Sequence, residues 1–250
     1  MPNALAPPDD APAPHAAPAA VAVWVKTPGR SPVKTRLAAT VGRARAEAFY
    51  ALAVGAVEAV VGAAVDRSGG ALAPYWAVAE AGPEAAAEWR RRGPGFGTVA
   101  QGGGGLGERQ ARVYDALRAR HARVLFVGTD SPQLDPGVLG EAVRCLTPDG
   151  AGADFVLGPA EDGGYYLFGG RRPLAEDVWT EVPYSDPGTL AALRPRLERY
   201  GTVAALAPAF DVDTAEELGR LGGALRAREG ELLPAQRALL AWLARPAEAA

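Results

Sequence analysis

The sequence has few of the residues from which disulfides and zinc sites are built. Its 250 residues include one cysteine, Cys145, and two histidines, His15 and His121. A single cysteine excludes an intramolecular disulfide, which is typical of proteins that stay in a reducing cytoplasm. A zinc site made of cysteine and histidine lacks the necessary ligands. A bound metal ion would therefore have to be held by oxygen atoms.

The sequence also has no excess of positive charge and no long apolar run. Its net charge is −3, so no overall positive field exists to attract nucleic acid. The longest apolar run, ALAVGAVEAVVGAAV, contains Glu58 and is shorter than the roughly 20 residues that a membrane-spanning helix requires. We therefore expect a cytoplasmic protein with neither nucleic acid nor a membrane as partner.

Residues 1–20 differ in composition from the rest of the chain. They contain six prolines and neither lysine nor arginine, so they lack the basic start and the apolar core of a signal peptide. Such a composition is typical of a disordered tail. Because residues 21–250 show no internal repeat and no evident linker, we predict that they form a single domain, with a last helix from about residue 232.

Beyond the tail, apolar segments of strand type alternate with segments of helical periodicity. The clearest strand is VLFVG, in which apolar residues follow one another without alternation, as in strands that are buried on both faces. The other predicted strands are AAVAVWV, YWAVAE, ADFVLGPA, YYLFGG and TVAALAPAFDVD. This alternation predicts an α/β fold with a doubly wound, mostly parallel sheet.

Polar residues collect where the predicted strands end. The first strand is followed by Lys26, Arg30, Lys34 and Arg36, with no acidic residue among them. GTDSP follows VLFVG, EDGGYY follows ADFVLGPA, and DVDT ends the last predicted strand. In an open α/β sheet, ligands bind outside the carboxyl ends of the strands. We therefore expect these four clusters to lie along one edge of the sheet and to form a ligand site.

Three acidic residues belong to this predicted edge: Asp130, Asp211 and Asp213. Two of them have a simpler explanation, because Asp130 suits a turn before Pro132 and Asp213 suits the cap of the next helix. Asp211 and Asp213 would point to the same side if the strand continued through them, and two such charges repel unless a cation lies between them. Together, the three carboxylates predict a site for Mg²⁺ or Mn²⁺ that would hold substrate phosphates.

The basic loop would complement such a metal ion. Lysine and arginine can neutralise the part of the phosphate charge that a metal ion does not, and arginine can do so with two parallel hydrogen bonds. Lys34 and Arg36 begin a predicted helix, whose N-terminal amides also favour phosphate. A solvated basic loop is the simpler alternative. The glycine run before LGER could bring the backbone close to a nucleotide, with Glu108 or Arg109 reaching it, although glycine richness alone is a weak signal.

Five segments match a known family in their order and spacing: PGRSPVKTRL, LGER, VGTDSP, LGPAEDGGYYLFG and DVDTAEEL. They resemble a family of bacterial glycosyltransferase-like proteins that have the glycosyltransferase-A fold, the fold of nucleotide-diphospho-sugar transferases. Some members are associated with arsenosugar biosynthesis. The resemblance runs from about Val21 to Leu221. More distantly, VKTRL, GTDSP and DVDT are similar to segments of 2-phospholactate guanylyltransferases and molybdenum-cofactor guanylyltransferases.

The resemblance implies a nucleotide-binding transferase domain in which the clusters have separate roles. Asp130 would stand at the metal-binding acid, with Asp211 and Asp213 completing the metal site, and Lys34 and Arg36 would contact the phosphates. The other implied positions are Gly107, Glu108 and Arg109 on the nucleotide side, and Asp162, Gly163, Gly164 and Tyr165 on the acceptor side. A typical glycosyltransferase has an Asp-x-Asp motif where this sequence has DSP. That departure weakens the case for glycosyl transfer and strengthens the case for nucleotidyl transfer.

Two activities are consistent with these residues. The first is transfer of a sugar from a nucleotide-sugar donor to an unknown small-molecule acceptor, with a metal ion stabilising the departing diphosphate and with Asp130 and Asp162 as catalytic residues. The second is transfer of a nucleotide from a nucleoside triphosphate to a phosphorylated small molecule, with release of pyrophosphate. The resemblance favours the first. A nucleotide-binding sensor without turnover is a third alternative, but all the candidate charged positions are filled.

Overall fold

The computed structural model describes residues 17–147 and 152–245. Residues 1–16 of the predicted tail lie outside the described residues. The first strand begins at Ala19, just before the predicted end of the tail at residue 20. The described strands are β1 (Ala19–Val25), β2 (Leu72–Val78), β3 (Gly97–Ala100), β4 (Arg123–Val127), β5 (Phe155–Pro159), β6 (Tyr165–Gly170) and β7 (Val203–Ala205).

In the described part of the chain these strands form one sheet, in the order β3-β2-β1-β4-β6-β5-β7. Neighbouring strands are parallel except that β6 is antiparallel to both β4 and β5. The exception has a simple cause, because only residues 160–164 join β5 to β6. A parallel pair needs a crossover of about a dozen residues or more. The predicted α/β fold with a mostly parallel, doubly wound sheet is confirmed.

Helices cover both faces of the sheet. They are α1 (Thr35–Val41), α2 (Arg43–Arg67), α3 (Pro83–Arg92), α4 (Leu106–Arg118), α5 (Pro136–Cys145), α6 (Asp177–Thr180), α7 (Thr189–Glu198), α8 (Ala215–Arg226) and α9 (Pro234–Leu243). The valines of β1 lie in a buried cluster with residues of α2, α3 and α5, whereas Ala20 and Ala22 lie in a second cluster with residues of α4, α6 and α7. Successive side chains of a strand point to opposite faces, which explains why β1 is apolar throughout.

A third buried cluster joins the end of the chain to the domain. It brings together residues of α1, α2, α8 and α9 around Phe49 and Val212. The start of α8 is fixed by Thr214 and Glu217, since the Thr214 hydroxyl accepts from the Glu217 N–H at 3.4 Å and the Glu217 carboxylate accepts from the Thr214 N–H at 2.8 Å. The segment before α8 is thereby anchored at the edge of the sheet where β1 and β4 end.

Helix α2 contains the apolar run ALAVGAVEAVVGAAV and extends beyond it at both ends. It extends over Arg43–Arg67 and contains an 18-residue window with a mean hydropathy of 1.9. Within residues 17–147 and 152–245 it is the one helix long and apolar enough to cross a membrane. Half of its apolar window is buried, and its inward residues pack on the sheet and against α1 and α9. Packing in the core therefore accounts for its apolar composition.

Two strands differ from the prediction. β3 was not predicted, because it is four residues long and follows a glycine-rich turn. The last strand, predicted to run through DVDT, ends at Ala205. Beyond it the chain stays beside the end of β5 without forming a regular strand, with one isolated parallel bridge between Ala160 and Ala209. The N–H of Val212 then donates to the carbonyl oxygen of Asp130 at 2.8 Å. Asp211 and Asp213 thus lie on an irregular segment, and strand alternation does not set their directions.

Candidate active site

A pocket of about 760 Å³ lies outside the carboxyl ends of β1 and β4. At this point the chain order reverses, because β2 and β3 extend the sheet from one side of β1 and β4 lies on the other. Open α/β sheets bind ligands at such a switch point. The residues that line the pocket are Trp24, Val25, Lys26, Pro32, Val33, Lys34, Thr35, Arg36, Tyr50, Gln101, Gly104, Leu106, Arg109, Gly128, Thr129, Asp130, Ser185 and Asp213.

The pocket has an excess of positive charge. Four of its lining side chains are cationic and two are anionic, which leaves two positive charges in excess. The protein as a whole carries a net charge of −3, so this is a local concentration of positive charge. A concave site of this kind favours an anion with several negative charges.

Buried polar contacts hold the loop between β1 and α1 in place. The Tyr50 hydroxyl accepts from the backbone N–H of Lys26 at 2.8 Å and donates to the carbonyl oxygen of the same residue at 2.9 Å. Burial raises the pKa of Tyr50 to about 12, so its hydroxyl stays protonated at neutral pH. The backbone N–H and hydroxyl of Thr27 donate to the Glu80 carboxylate at 2.9 and 2.7 Å. Arg30, by contrast, points away from the pocket and pairs with Glu84 at 3.7 Å.

Lys34 lies between the acidic residues of the site. Its ammonium donates to Asp130 Oδ1, to the Val212 carbonyl oxygen at 2.7 Å and to Asp213 Oδ1 at 2.9 Å. Its side chain is 3% exposed. Burial opposes the positive charge, but the two carboxylates outweigh burial and raise the pKa of Lys34 above its ordinary value.

Asp130 and Asp213 are both open to the pocket. Their side chains are 46% and 33% exposed. Arg36 Nη1 lies 3.5 Å from Asp213 Oδ2, and the Arg36 side chain is 69% exposed. Arg36 therefore keeps most of its guanidinium accessible at the mouth of the pocket.

Asp211 faces away from this group. Its carboxylate accepts from the Ser131 hydroxyl at 2.5 Å, and it does not line the pocket. Burial raises the pKa of Asp211 to about 7; the hydrogen bond from Ser131 lowers it, and the negative charges of Asp130, Asp162 and Asp213 raise it further.

The predicted three-carboxylate metal site does not fit this arrangement. Among residues 17–147 and 152–245, no group of three histidine, cysteine, aspartate or glutamate side chains is placed to hold a metal ion. The ammonium of Lys34 stands between Asp130 and Asp213, and Asp211 is turned towards Ser131. We therefore derive no chemical step through a metal ion bound by these three residues.

LGER has two members in the pocket lining, Leu106 and Arg109, and two with structural roles. Arg109 Nε donates to the Gly104 carbonyl oxygen at 2.9 Å, which holds its guanidinium at the pocket rim. The Glu108 carboxylate accepts from the Gly105 N–H at 2.6 Å and caps α4. Gly107 allows α4 to approach α6, because a Cβ there would lie 2.5 Å from the Trp179 carbonyl oxygen.

The EDGGYY turn lies beside the pocket and does not line it. The exposed Asp162 accepts from the Gly164 N–H at 2.9 Å, so its carboxylate shapes its own turn. Gly163 has φ +91°, and a Cβ there would lie 1.9 Å from the Pro187 carbonyl oxygen. The Tyr165 hydroxyl donates to Gln110 Oε1 at 2.7 Å, in a buried environment that raises its pKa well above the ordinary value.

Several pocket residues were missed by sequence reasoning. Trp24, Gln101 and Ser185 line the pocket beside the predicted cations. Gln101 follows β3, so the missed strand hid its position at the sheet edge. Ser185 has φ +60°, an uncommon conformation for a residue with a side chain. Its place before a helix allowed either a helix cap or a ligand contact, and the cap was the favoured prediction, but the N-cap of α7 is Gly188. Trp24 is the penultimate residue of β1, within an apolar segment that indicated only a buried strand.

Comparison with known proteins identifies the fold. The family model "Uncharacterized protein conserved in bacteria (DUF2064)" matches residues 67–186, slightly less than half of the chain. No curated protein matches the chain. A crystal structure from Desulfovibrio desulfuricans G20, provisionally described as a nucleotide-diphospho-sugar transferase, is similar at a TM-score of 0.71 with 23% identity, covering 89% of this chain and 98% of that one.

A second solved structure is more distant. It is 4-diphosphocytidyl-2C-methyl-D-erythritol synthase from Anaerococcus prevotii DSM 20548, with a TM-score of 0.51 and 11% identity, and the match covers 92% of this chain and 97% of that one. At these identities the two likenesses show a shared fold. The predicted nucleotide-diphospho-sugar transferase fold is thereby confirmed.

Proposed function

We propose that this protein is a transferase that binds a nucleotide through its phosphates, with a nucleotide-diphospho-sugar as donor and a small molecule as acceptor. The observation that carries the proposal is the pocket at the switch point of the sheet, with four cationic side chains against two carboxylates. The similarity in fold to the Desulfovibrio protein, provisionally described as a nucleotide-diphospho-sugar transferase, favours the same class of donor.

The accessible cations would bind the diphosphate. Arg36 and Arg109 both line the pocket, one at the start of α1 and the other in the first turn of α4. Arginine donors that point at a diphosphate stabilise the negative charge that develops when this group leaves. The excess of two positive charges in the pocket matches the roughly two negative charges of a nucleotide-linked diphosphate ester.

The carboxylates and the EDGGYY turn would act on the sugar and the acceptor. Asp130 is half-exposed in the pocket and can accept hydrogen bonds from hydroxyl groups of the donor. Asp162 lies on the exposed turn after β5, close enough to Asp211 to influence its pKa. On this side of the site Asp162 is our candidate for the base that takes a proton from the acceptor, with Gly163, Gly164 and Tyr165 forming the turn around it.

Nucleotidyl transfer is the second candidate, and one observation favours it. The residue two positions after Asp130 is Pro132, so the Asp-x-Asp pair of a typical glycosyltransferase is absent from this stretch. The local excess of cations would then serve a triphosphate, whose pyrophosphate leaves. A nucleoside triphosphate brings its own Mg²⁺ as part of the substrate, so this reaction would require that ion in the assay.

Binding can be tested with variants of the accessible cations. Arg36→Ala and Arg109→Ala should each weaken the binding of a nucleoside diphosphate or nucleotide sugar by about 10- to 100-fold, since each removes a charge-assisted hydrogen bond. Isothermal calorimetry with UDP-glucose, GDP-mannose and nucleoside triphosphates, with and without Mg²⁺, measures the change. Arg199→Ala, at an exposed arginine outside the pocket, is the matched control. Equal affinity in all four proteins would disprove the assignment of the pocket.

The released product separates the two candidate activities. Sugar transfer releases a nucleoside diphosphate from a nucleotide sugar, whereas nucleotidyl transfer releases pyrophosphate from a nucleoside triphosphate. Both products can be quantified by phosphorus NMR in mixtures of the protein with each donor and a panel of small hydroxylated or phosphorylated acceptors. Pyrophosphate release in the absence of any reaction with nucleotide sugars would replace the first candidate by the second.

A further inference from the structure

The carboxylates of Asp130 and Asp213 share one neighbour, the ammonium of Lys34. A protonated lysine has three N–H donors. Three acceptors surround this one: Asp130 Oδ1, the Val212 carbonyl oxygen at 2.7 Å and Asp213 Oδ1 at 2.9 Å. All three donors of Lys34 are therefore used within the protein.

Lys34 is a fixed part of the site. Its backbone has φ 45° and ψ 45°, a left-handed conformation that costs free energy for a residue with a side chain and persists where the surrounding contacts determine it. The side chain is 3% exposed, and the ammonium lies 5.8 Å from the centre of the Phe49 ring. A flexible surface lysine has neither property.

The three acceptors around Lys34 are also the kind of ligands that a hard divalent cation takes. Carboxylate and carbonyl oxygens are the usual ligands of Mg²⁺, Ca²⁺ and Mn²⁺. We infer that Lys34 is the resident cation of this site: its ammonium occupies the position between Asp130 and Asp213 that a divalent ion would take, so the protein without nucleotide binds no metal ion at this pair.

This assignment gives Lys34 a different role from that of Arg36 and Arg109. It neutralises the two carboxylates from within and positions them, while the exposed guanidinium groups remain available for phosphate. The catalytic meaning of this division rests on the proposed function. The position of the Lys34 ammonium between Asp130 and Asp213 does not rest on the proposed function, because it concerns the protein without any nucleotide.

Removing the ammonium should create a metal site. In Lys34→Met the apolar stem keeps its place beside Phe49, but Asp130 and Asp213 lose their shared counter-ion. Two neighbouring like charges then favour a cation between them. We expect the variant to bind Mn²⁺ about tenfold more tightly than the wild type, or better.

The test is a titration of the nucleotide-free protein with Mn²⁺, with unbound Mn²⁺ measured by electron paramagnetic resonance. Wild type should show only weak binding, Lys34→Met a single new site, and the double variant Lys34→Met/Asp213→Asn weak binding again. A folded Lys34→Met protein that binds Mn²⁺ no better than wild type overturns the inference. Circular dichroism of each variant establishes that it is folded.

Wild type and Asp213→Asn provide a second test that does not depend on how Lys34→Met folds. If the Lys34 ammonium already occupies the position between the two carboxylates, both proteins give the same Mn²⁺ titration curve. A wild-type protein that binds one Mn²⁺ tightly and loses it in Asp213→Asn contradicts the inference. No nucleotide is present in these Mn²⁺ titrations, so they test only the role of Lys34. Failure of the proposed function would appear instead in the calorimetry of Arg36→Ala and Arg109→Ala.

Discussion

At the scale of single residues, the acidic side chains of this protein differ in what surrounds them. Asp130 and Asp213 share a lysine and stay open to the pocket, whereas Asp211 is half-buried against Ser131 with its pKa raised to about 7. Spacing alone suggested that Asp211 and Asp213 would act together. Their separation depends on the tertiary hydrogen bond from Val212 to Asp130, which no local pattern reveals.

Asp154 is a carboxylate whose contribution to stability can be measured. Its side chain is 7% exposed and accepts from Arg172 Nε at 2.6 Å, from Arg171 Nη2 at 2.8 Å and from the Thr202 N–H at 3.0 Å. Burial alone would raise the pKa of Asp154, but the arginines and Thr202 outweigh it and lower the pKa. We predict that Asp154→Asn reduces the free energy of unfolding by about 1–3 kcal/mol at pH 7.

The pH dependence follows from the lowered pKa. The stabilisation by Asp154 is complete above the unfolded-state value of about 4 and is lost as the pH falls through the lower folded-state value. Urea unfolding of wild type and Asp154→Asn at pH 7 and at pH 3 should therefore show a smaller difference at pH 3. Glu198→Gln, which removes one exposed partner of Arg194, is the control with little effect at either pH. A difference that grows at pH 3 would contradict this account.

At the scale of elements, the sequence was most informative where one strand or helix is determined by its own residues. β1 and β6 lie at their predicted positions, because unbroken apolar segments between turns specify a buried strand. The edge strands were mispredicted, since β3 and β7 are short and each pairs with one neighbour. The reversed direction of β6 also depends on pairing across the sheet, although the short turn before it provides a clue.

The turn between β5 and β6 depends on a glycine. Gly163 combines a positive φ with close packing on the Pro187 carbonyl oxygen, and its own carbonyl oxygen accepts from the Leu190 N–H at 2.9 Å. We predict that Gly163→Ala destabilises the protein by about 1–3 kcal/mol or more, because the methyl group must displace the backbone of the loop that carries Ser185.

Thermal unfolding of the Gly163→Ala variant would measure this effect. Gly103→Ala is the matched control, since its backbone has no positive φ and a Cβ there would have nothing within 4 Å. The control should unfold within a degree or two of wild type. Similar unfolding temperatures for Gly163→Ala and Gly103→Ala would show that the loop accommodates the extra methyl group.

At the scale of the whole molecule, the candidate site is assembled from segments far apart in the chain. The basic loop, GTDSP, the start of α4 and the segment before α8 meet at one pocket, and the rule that ligands bind at the carboxyl ends of strands predicts most of this meeting. The rule does not predict which side chains face inward. EDGGYY follows β5, is continued by the antiparallel β6 and lies beside the pocket. The Lys34 side chain turns towards Asp130 and Asp213.

The last helix supports the loop after β4. Gln236 is 2% exposed, and its amide donates to the carbonyl oxygens of Pro132 at 3.0 Å and Leu134 at 2.9 Å. Gln236→Leu would leave both carbonyls without this donor, and we predict a loss of about 1–3 kcal/mol in unfolding free energy together with weaker nucleotide binding. Urea unfolding and calorimetry measure the two effects, with Ala238→Ser on the exposed side of α9 as control. Unchanged stability would show that water replaces the amide.

The hydrogen bonds of Gln236 have a consequence for the order in which the protein becomes functional during synthesis. Gln236 lies 104 residues after Pro132, in the first turn of α9. A ribosome-bound chain that already contains the basic loop, GTDSP and EDGGYY still lacks the group that fixes the loop after β4. Nucleotide binding should therefore develop only after α9 has left the exit tunnel and packed against α2 and α8.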